Sequence, residues 1–75
     1  MAQPSKFLAL CLRNEGYEVS LERRKIYVAL HDDSAAEHRL MRVIDESGED
    51  YLYPAKMFAP IELPPPLRRA VLTAA

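Results

Sequence analysis

The sequence has one cysteine, two glycines, no tryptophan and almost no net charge, and each scarcity excludes a class of protein. A single thiol cannot form an internal disulfide, and it supplies too few ligands for a cysteine-rich zinc site. Two isolated glycines leave no glycine-rich phosphate-binding loop. A formal net charge of −1 gives no overall basic field that would attract nucleic acid. The longest apolar run at the start of the chain, residues 7–12, is far shorter than the about 18 residues of a membrane-spanning helix.

Length and composition are those of one small globular domain. The chain has 75 residues, of which 49% are hydrophobic and 28% charged, and this balance is ordinary for a folded domain. We expect residues 1–5 to be a flexible tail, residues 6–63 to form the domain, and residues 64–75 to form a C-terminal helix docked on it. The apolar run near the start is shorter than that of a secretory signal, so we expect a cytoplasmic protein with no membrane association.

A β-hairpin organises the rest of the chain. Two runs rich in Val, Ile and Tyr flank an acidic segment, residues 45–50, which contains the Ser and Gly expected where a backbone reverses. We predict that Glu46 lies opposite Tyr51, with the four carboxylates of the turn in water. This register places Tyr51 and Tyr53 on the face opposite Val43.

Alternating apolar residues predict three further strands, in residues 6–12, 25–30 and 59–63. The first run is apolar on both faces. Its alternative is a short helix capped by Ser5 and ended by Gly16, and we favour the strand. In the loop that follows, Val19 and Leu21 are the expected inward anchors.

Two short helical turns and one longer helix complete the prediction. Asp33 or Ser34 can cap a single helical turn in residues 31–39, and residues 54–58 fit one 3₁₀ turn. A run of prolines opens the C-terminal helix. Its apolar stripe consists of Leu67, Ala70, Val71 and Ala74. Five short strands with a 3₁₀ turn before the last one indicate a mainly β fold, a small five-stranded SH3-like barrel with a short C-terminal helix.

Three segments carry a likeness to known proteins: Gly16-Tyr17-Glu18, Leu21 with Lys25-Ile26-Tyr27, and residues 42–54 with Phe58. In these segments the chain resembles a group of small bacterial proteins of unassigned function, over residues 7–63. The stretch Asp-Glu-Ser-Gly-Glu-Asp-Tyr-Leu-Tyr-Pro is the most specific part. Such proteins often have a glycine where this chain has Arg24, so we expect a different turn there. The resemblance implies an SH3-like fold and no particular activity.

The aromatic residues are the best functional lead. The candidate binding residues are Tyr17, Tyr27, Tyr51 and Tyr53, together with Arg42. The tyrosines either line a shallow binding surface or close the ends of the barrel as core residues. We therefore expect a non-enzymatic interaction module that binds a protein or peptide segment. The segment would lie in a groove or pair with the edge strand that contains Pro60.

Two other functions are open. A local basic patch of Arg23, Arg24 and Lys25, with Arg42 on a neighbouring strand, can bind single-stranded nucleic acid weakly, although a short basic run is usually a solvated turn. The chain can also be a small accessory or oligomerising subunit, with the Leu67 and Val71 stripe or the outer face of the first strand buried in a partner or in a second copy.

No catalytic, cofactor or metal site is expected. His31 and His38 are seven residues apart, which is not the i, i+4 spacing of a helical zinc pair. Cys11 lies between two leucines, as a buried core thiol does. The acidic cluster in residues 45–50 sits on a tight turn, whereas a calcium loop spreads its ligands over about twelve residues. We therefore expect that the protein is not an enzyme.

Overall fold

The computed structural model describes the backbone of residues 6–74 and the side chains of residues 6–72. The predicted tail, residues 1–5, lies outside the described residues. The elements in chain order are β1 (Lys6–Cys11), β2 (Ile26–Leu30), α1 (Asp33–Glu37), β3 (Leu40–Ile44), β4 (Asp50–Pro54), a 3₁₀ turn (Ala55–Met57), β5 (Phe58–Ile61) and α2 (Pro65–Ala74). The predicted mainly β class, with a 3₁₀ turn before the last strand and a C-terminal helix, is confirmed.

The five strands form one antiparallel sheet in the order β4-β3-β2-β1-β5. A flat sheet of this kind would be about 19 Å wide, since neighbouring strands lie about 4.8 Å apart. The two outer strands are nevertheless joined by a 3₁₀ turn that advances only about 6 Å. The sheet must therefore curl to bring β4 and β5 towards each other. Within residues 6–74 no ladder joins β4 to β5, so both outer edges are open.

Strand β1, which lies between β2 and β5, is buried on both faces, as its sequence predicts. Ala9 and Cys11 point into the main core, while Leu8 is buried on the other face. There Leu8 lies between Val28 of β2 and Ile61 of β5. A strand between two neighbours can have apolar side chains on both faces, and this explains the continuous apolar run.

The main core lies on the inner face of the curled sheet. Its buried members are Ala9, Cys11, Leu21, Tyr27, Ala29, Val43, Tyr53, Met57 and Phe58. The ring of Phe58 meets Tyr27 and Tyr53 edge-on, with centroids 6.4 and 6.2 Å apart, a favourable aromatic geometry. The prediction that Leu21 is an inward anchor is confirmed, whereas the same prediction for Val19 is wrong, because its side chain is 97% exposed.

The register of the β3–β4 hairpin differs from the predicted one by three residues. Met41 lies opposite Tyr53 and Val43 opposite Tyr51, so the predicted pairing of Glu46 with Tyr51 is wrong. A slip by an odd number of residues exchanges the two faces of a strand. Tyr51 and Tyr53 therefore share the inner face with Val43, and are not on the face opposite to it.

The turn explains this register. The N–H of Gly48 donates to the carbonyl of Asp45 at 2.9 Å, and the N–H of Asp45 donates to the carbonyl of Glu49 at 3.1 Å. Gly48 has φ +86°, the left-handed conformation that glycine adopts most easily. This is a three-residue hairpin loop in which a left-handed residue follows a type I turn, and it closes the hairpin more tightly than the prediction assumed.

A second left-handed residue precedes β2. Arg24 has φ 69°, and its N–H donates to the carbonyl of Cys11 at 2.7 Å. Arginine therefore occupies a backbone conformation that glycine favours.

The two helices are attached in different ways. Helix α1 is capped by Asp32, which accepts the N–H of Ala35 at 3.0 Å, so the cap is neither Asp33 nor Ser34. In α2 the guanidinium of Arg68 donates to the carbonyl of Lys6 at 2.7 Å. Among the other described side chains of α2, Leu67 and Ala70 are exposed, and Val71 and Leu72 are half-buried. Neither helix is long and apolar enough to cross a membrane.

Candidate functional site

The four tyrosines divide into two buried and two exposed residues. Tyr27 and Tyr53 are 5% and 4% exposed, whereas Tyr17 and Tyr51 are 38% and 50% exposed. The sequence left open whether the tyrosines are core or surface residues, and the structure places one pair in each position. Tyr27 and Tyr53 belong to the core, and only Tyr17 and Tyr51 can contact another molecule.

A buried carboxylate holds Tyr53 in place. The Tyr53 hydroxyl donates to Asp45 at 2.5 Å, and the N–H of Ser47 donates to the same carboxylate at 2.8 Å. Burial alone would raise the pKa of Asp45, but the hydrogen bonds from Ser47 and Tyr53 outweigh it and hold that pKa below its usual value. Burial and the bond to Asp45 raise the pKa of Tyr53.

Sequence reasoning missed Asp45, which was predicted to project into water with the other acids of the turn. The sequence does contain a signal for the bond to Ser47, because an Asp side chain can accept the backbone N–H of the residue two positions later in an Asx turn. The partner on β4 becomes visible only once the register is known.

Tyr27 is fixed by a similar network. Its hydroxyl donates to the Glu46 carboxylate at 2.5 Å and accepts the N–H of Glu22 at 2.7 Å. Lys25 donates to the same Glu46 oxygen at 2.6 Å. These bonds lower the pKa of Glu46, and burial together with the Glu46 contact raises the pKa of Tyr27. Both hydrogen-bonding capacities of this hydroxyl are used within the protein.

Tyr17 covers the buried Tyr53. Its ring meets that of Tyr53 edge-on, with a centroid distance of 5.0 Å and an interplanar angle of 83°. The backbone around Tyr17 is fixed, because its N–H donates to Asn14 at 2.8 Å and its carbonyl accepts the N–H of Leu21 at 2.8 Å. The loop is also tied to the hairpin by a bond from the Glu46 N–H to Ser20. Tyr17 is thus an exposed ring on a well-anchored loop.

Tyr51 is a neighbour of Tyr53 along β4. The two are two residues apart on β4, so they share a face and their Cα atoms are about 6.6 Å apart. The Tyr51 hydroxyl reaches Glu49 only at 3.4 Å, so it remains free for a further bond. Tyr17 and Tyr51 therefore each adjoin Tyr53, and we call this pair the tyrosine surface.

Carboxylates adjoin both members of the tyrosine surface. Glu18 follows Tyr17 in the loop, and Glu49 lies beside Tyr51. Both are exposed, and neither takes part in an ion pair among the described side chains. The surface therefore combines aromatic area with negative charge.

The predicted basic patch is largely neutralised. Lys25 pairs with Glu46, and Arg42 pairs with Asp32 at 2.8 Å and with Asp50 at 2.9 Å. Arg42 also lies on the outer face of β3, opposite to the face of Tyr51, so the two do not form one site. Arg23 and Arg24 are exposed and have no carboxylate partner in the described part of the chain.

The side chains with nucleophilic or metal-binding chemistry are dispersed. Cys11 is fully buried, and burial raises the pKa of its thiol. His31 packs on Phe7 with a centroid distance of 4.5 Å. In the described range no three His, Cys, Asp or Glu side chains come together so as to hold a metal ion. A shallow groove of about 210 Å³ lies beside α1, and two of its charged lining residues, Asp32 and Arg42, are paired with each other.

Comparison with known proteins adds nothing to the sheet and the tyrosine surface described above. The resemblance to small bacterial proteins with an SH3-like fold stays a prediction from the sequence. No family model, no curated protein and no solved structure matches this chain.

Proposed function

We propose that this protein is a non-enzymatic interaction module that binds an extended segment of a partner protein at the tyrosine surface. The observation that carries the proposal is the exposure of two tyrosines that adjoin a buried third, one packed on its ring from an anchored loop and one beside it on β4. A tyrosine fixed in this way offers a large apolar area and a polar tip at little cost in conformational entropy. The neighbouring carboxylates, Glu18 and Glu49, favour a segment that contains basic residues.

We further propose that the curled sheet is a partly open SH3-like barrel and that the protein works in the cytoplasm. The strand order, the long loop between β1 and β2, and the 3₁₀ turn before β5 support the barrel. The free thiol of Cys11 fits a reducing compartment.

Selection from a random peptide library tests the binding proposal. The library is displayed on phage and panned against the folded protein, and affinities of the recovered peptides are measured for Tyr17→Ala and Tyr51→Ala. We expect each variant to weaken binding by about tenfold or more, as loss of an aromatic anchor does. Leu67→Ala on α2 is the matched control, because it removes a similarly exposed apolar side chain at another place. Recovery of no peptide, or equal affinity for all variants, contradicts the proposal.

Salt dependence separates this proposal from the two others. Binding of single-stranded nucleic acid through Arg23 and Arg24 falls steeply as salt is added, whereas binding to aromatic rings beside two carboxylates falls less steeply. The ion pairs of Lys25 and Arg42 reduce the charge that a nucleic acid would meet. For a homo-oligomer, the mass in solution would rise with protein concentration.

A further inference from the structure

Two hydrogen bonds at the ends of the β3–β4 ladder fix which backbone groups face each other. At one end the N–H of Asp45 donates to Glu49 at 3.1 Å, and at the other the N–H of Ala55 donates to Arg39 at 3.0 Å. In an antiparallel ladder, pairs that exchange hydrogen bonds alternate with pairs that do not. Both bonds therefore show that the odd-numbered residues of β4 are the ones that exchange hydrogen bonds with β3.

The even-numbered residues of β4 consequently point their backbone groups away from β3. Asp50 and Leu52 each present an N–H and a carbonyl to the open side of the strand, whereas Pro54 is the N-cap of the 3₁₀ turn and its carbonyl accepts the first bond of that turn. In the described chain no strand lies on that side. The edge thus offers two donors and two acceptors at the spacing that another strand requires.

The edge formed by β5 lacks the free N–H donors that pairing with another strand requires. The N–H of Leu12 donates to Met57 at 2.8 Å, so the same alternation turns Phe58 and Pro60 of β5 outwards. The N–H of Phe58 is already bonded to the carbonyl of Ala55, and proline has no N–H. The strand that contains Pro60, considered from the sequence as a pairing edge, offers no free donor. Of the two edges, only β4 can accept a strand fully.

The side chains along the β4 edge suit a segment of defined chemistry. Tyr51 is exposed on the inner face and Leu52 on the outer face, so an added strand meets an apolar neighbour on each side. At the start of the strand the carboxylate of Glu49 is in no ion pair among the described residues. Leu52 favours apolar residues on the outer face, whereas Tyr51 with the unpaired carboxylate of Glu49 favours basic residues on the inner face, so the strand edge suits an extended segment in which apolar and basic residues alternate.

We propose that the partner segment adds to the sheet as a further strand along β4. This inference rests on the proposed function, because the occupant is the same segment and Tyr51 belongs to both sites. It adds the mode of recognition, in which main-chain hydrogen bonds from Asp50 and Leu52 give affinity and the flanking side chains give specificity.

Amide hydrogen exchange tests the inference. The probe is a capped seven-residue peptide of alternating lysine and valine, titrated to about 1 mM with ¹⁵N-labelled protein. We expect the N–H groups of Asp50 and Leu52 to exchange at least about tenfold more slowly with peptide bound. The N–H of Tyr51 is the internal control, because it is bonded to β3 in both states and should change little.

A variant separates backbone pairing from side-chain contact. Leu52→Pro removes the outward N–H and leaves the bonds to β3, and it should weaken peptide binding at least about tenfold relative to Leu52→Ala. If Leu52→Pro fails to fold, the exchange measurement on the unaltered protein still tests whether the peptide pairs with the β4 backbone.

Three results overturn the inference. If the peptide changes the chemical shifts of Tyr51 but does not slow exchange of the Asp50 and Leu52 N–H groups, it lies across the inner face of the sheet. The proposed function then stands without strand addition. Absence of binding by this peptide rejects strand addition, while the library selection judges the proposed function separately. Slow exchange that appears without peptide and grows with protein concentration identifies a second copy of the chain as the occupant.

Discussion

Replacement of Tyr53 by phenylalanine should reduce stability substantially, although it removes a single oxygen atom. The Tyr53 hydroxyl donates at 2.5 Å to the buried carboxylate of Asp45. A hydrogen bond to a charged group contributes about 1.5–3 kcal/mol, and we expect a loss of about 2 kcal/mol in the free energy of unfolding. In a domain of this length that loss lowers the melting temperature by roughly 8–16 °C.

Tyr51→Phe is the matched control for this substitution. It removes the same atom from the same strand, but the Tyr51 hydroxyl is exposed and lies 3.4 Å from Glu49. We expect its effect on the free energy of unfolding to stay within about 0.5 kcal/mol. Urea unfolding followed by far-ultraviolet circular dichroism measures both variants. Equal losses for Tyr53→Phe and Tyr51→Phe would refute the structural role of the buried bond.

The same comparison has a defined pH dependence. The pKa of Asp45 is lower in the folded protein than in the unfolded chain. Its contribution to stability is therefore complete above the unfolded value of about 3.9 and is lost as the pH falls through the folded value. The difference between the unaltered protein and Tyr53→Phe should be full at neutral pH and should shrink below about pH 4.

Three further predictions concern the turns and the core thiol. Gly48→Ala should destabilise the protein by about 1 kcal/mol, because an alanine at φ +86° is strained although its Cβ meets no atom within 4 Å, and urea unfolding measures the loss. Arg24→Gly should raise the free energy of unfolding by up to about 1 kcal/mol in the same assay, since glycine adopts φ 69° without strain, and a loss of stability would contradict this reason. The Cys11 thiol, fully buried and with a raised pKa, should react with a thiol reagent many times faster in urea than in the folded protein, and equal rates would show that it is exposed.

Most of the strands could be predicted from the sequence because burial leaves a clear pattern. The apolar run of β1 indicated burial on both faces, and the structure confirms it with Ala9 in the core and Leu8 on the opposite face. The 3₁₀ turn after Pro54 was also confirmed. These elements are determined by neighbouring residues, so a local pattern is sufficient to find them.

The hairpin register was not predicted, although its signal is local. An Asp at the first position and a Gly at the fourth are typical of a type I turn, and Asp45 and Gly48 occupy these positions. The prediction placed the reversal from the apolar runs alone and so missed the tighter turn. An error of three residues moved Tyr51 and Tyr53 to the wrong face.

The division of the tyrosines depends on contacts between distant residues. Tyr27 is bonded to Glu46, which is nineteen positions away, and Tyr17 packs on Tyr53 from another loop. The bond between Arg42 and Asp32 also joins residues that are distant in the sequence, so the sequence analysis placed Arg42 in a basic patch without its partner. Residue type shows which side chains can form such bonds, but only the folded chain shows which of them do.

The hairpin register determines both the burial of Tyr53 and the outward direction of the free N–H groups on β4. Nuclear Overhauser effects between α-protons measure it directly, because opposite residues that exchange no hydrogen bonds have Cα atoms about 4.5 Å apart. The structure predicts strong contacts between the α-protons of Arg42 and Leu52 and between those of Ile44 and Asp50. A contact between the α-protons of Leu52 and Asp45 would instead establish the shifted register and contradict the account.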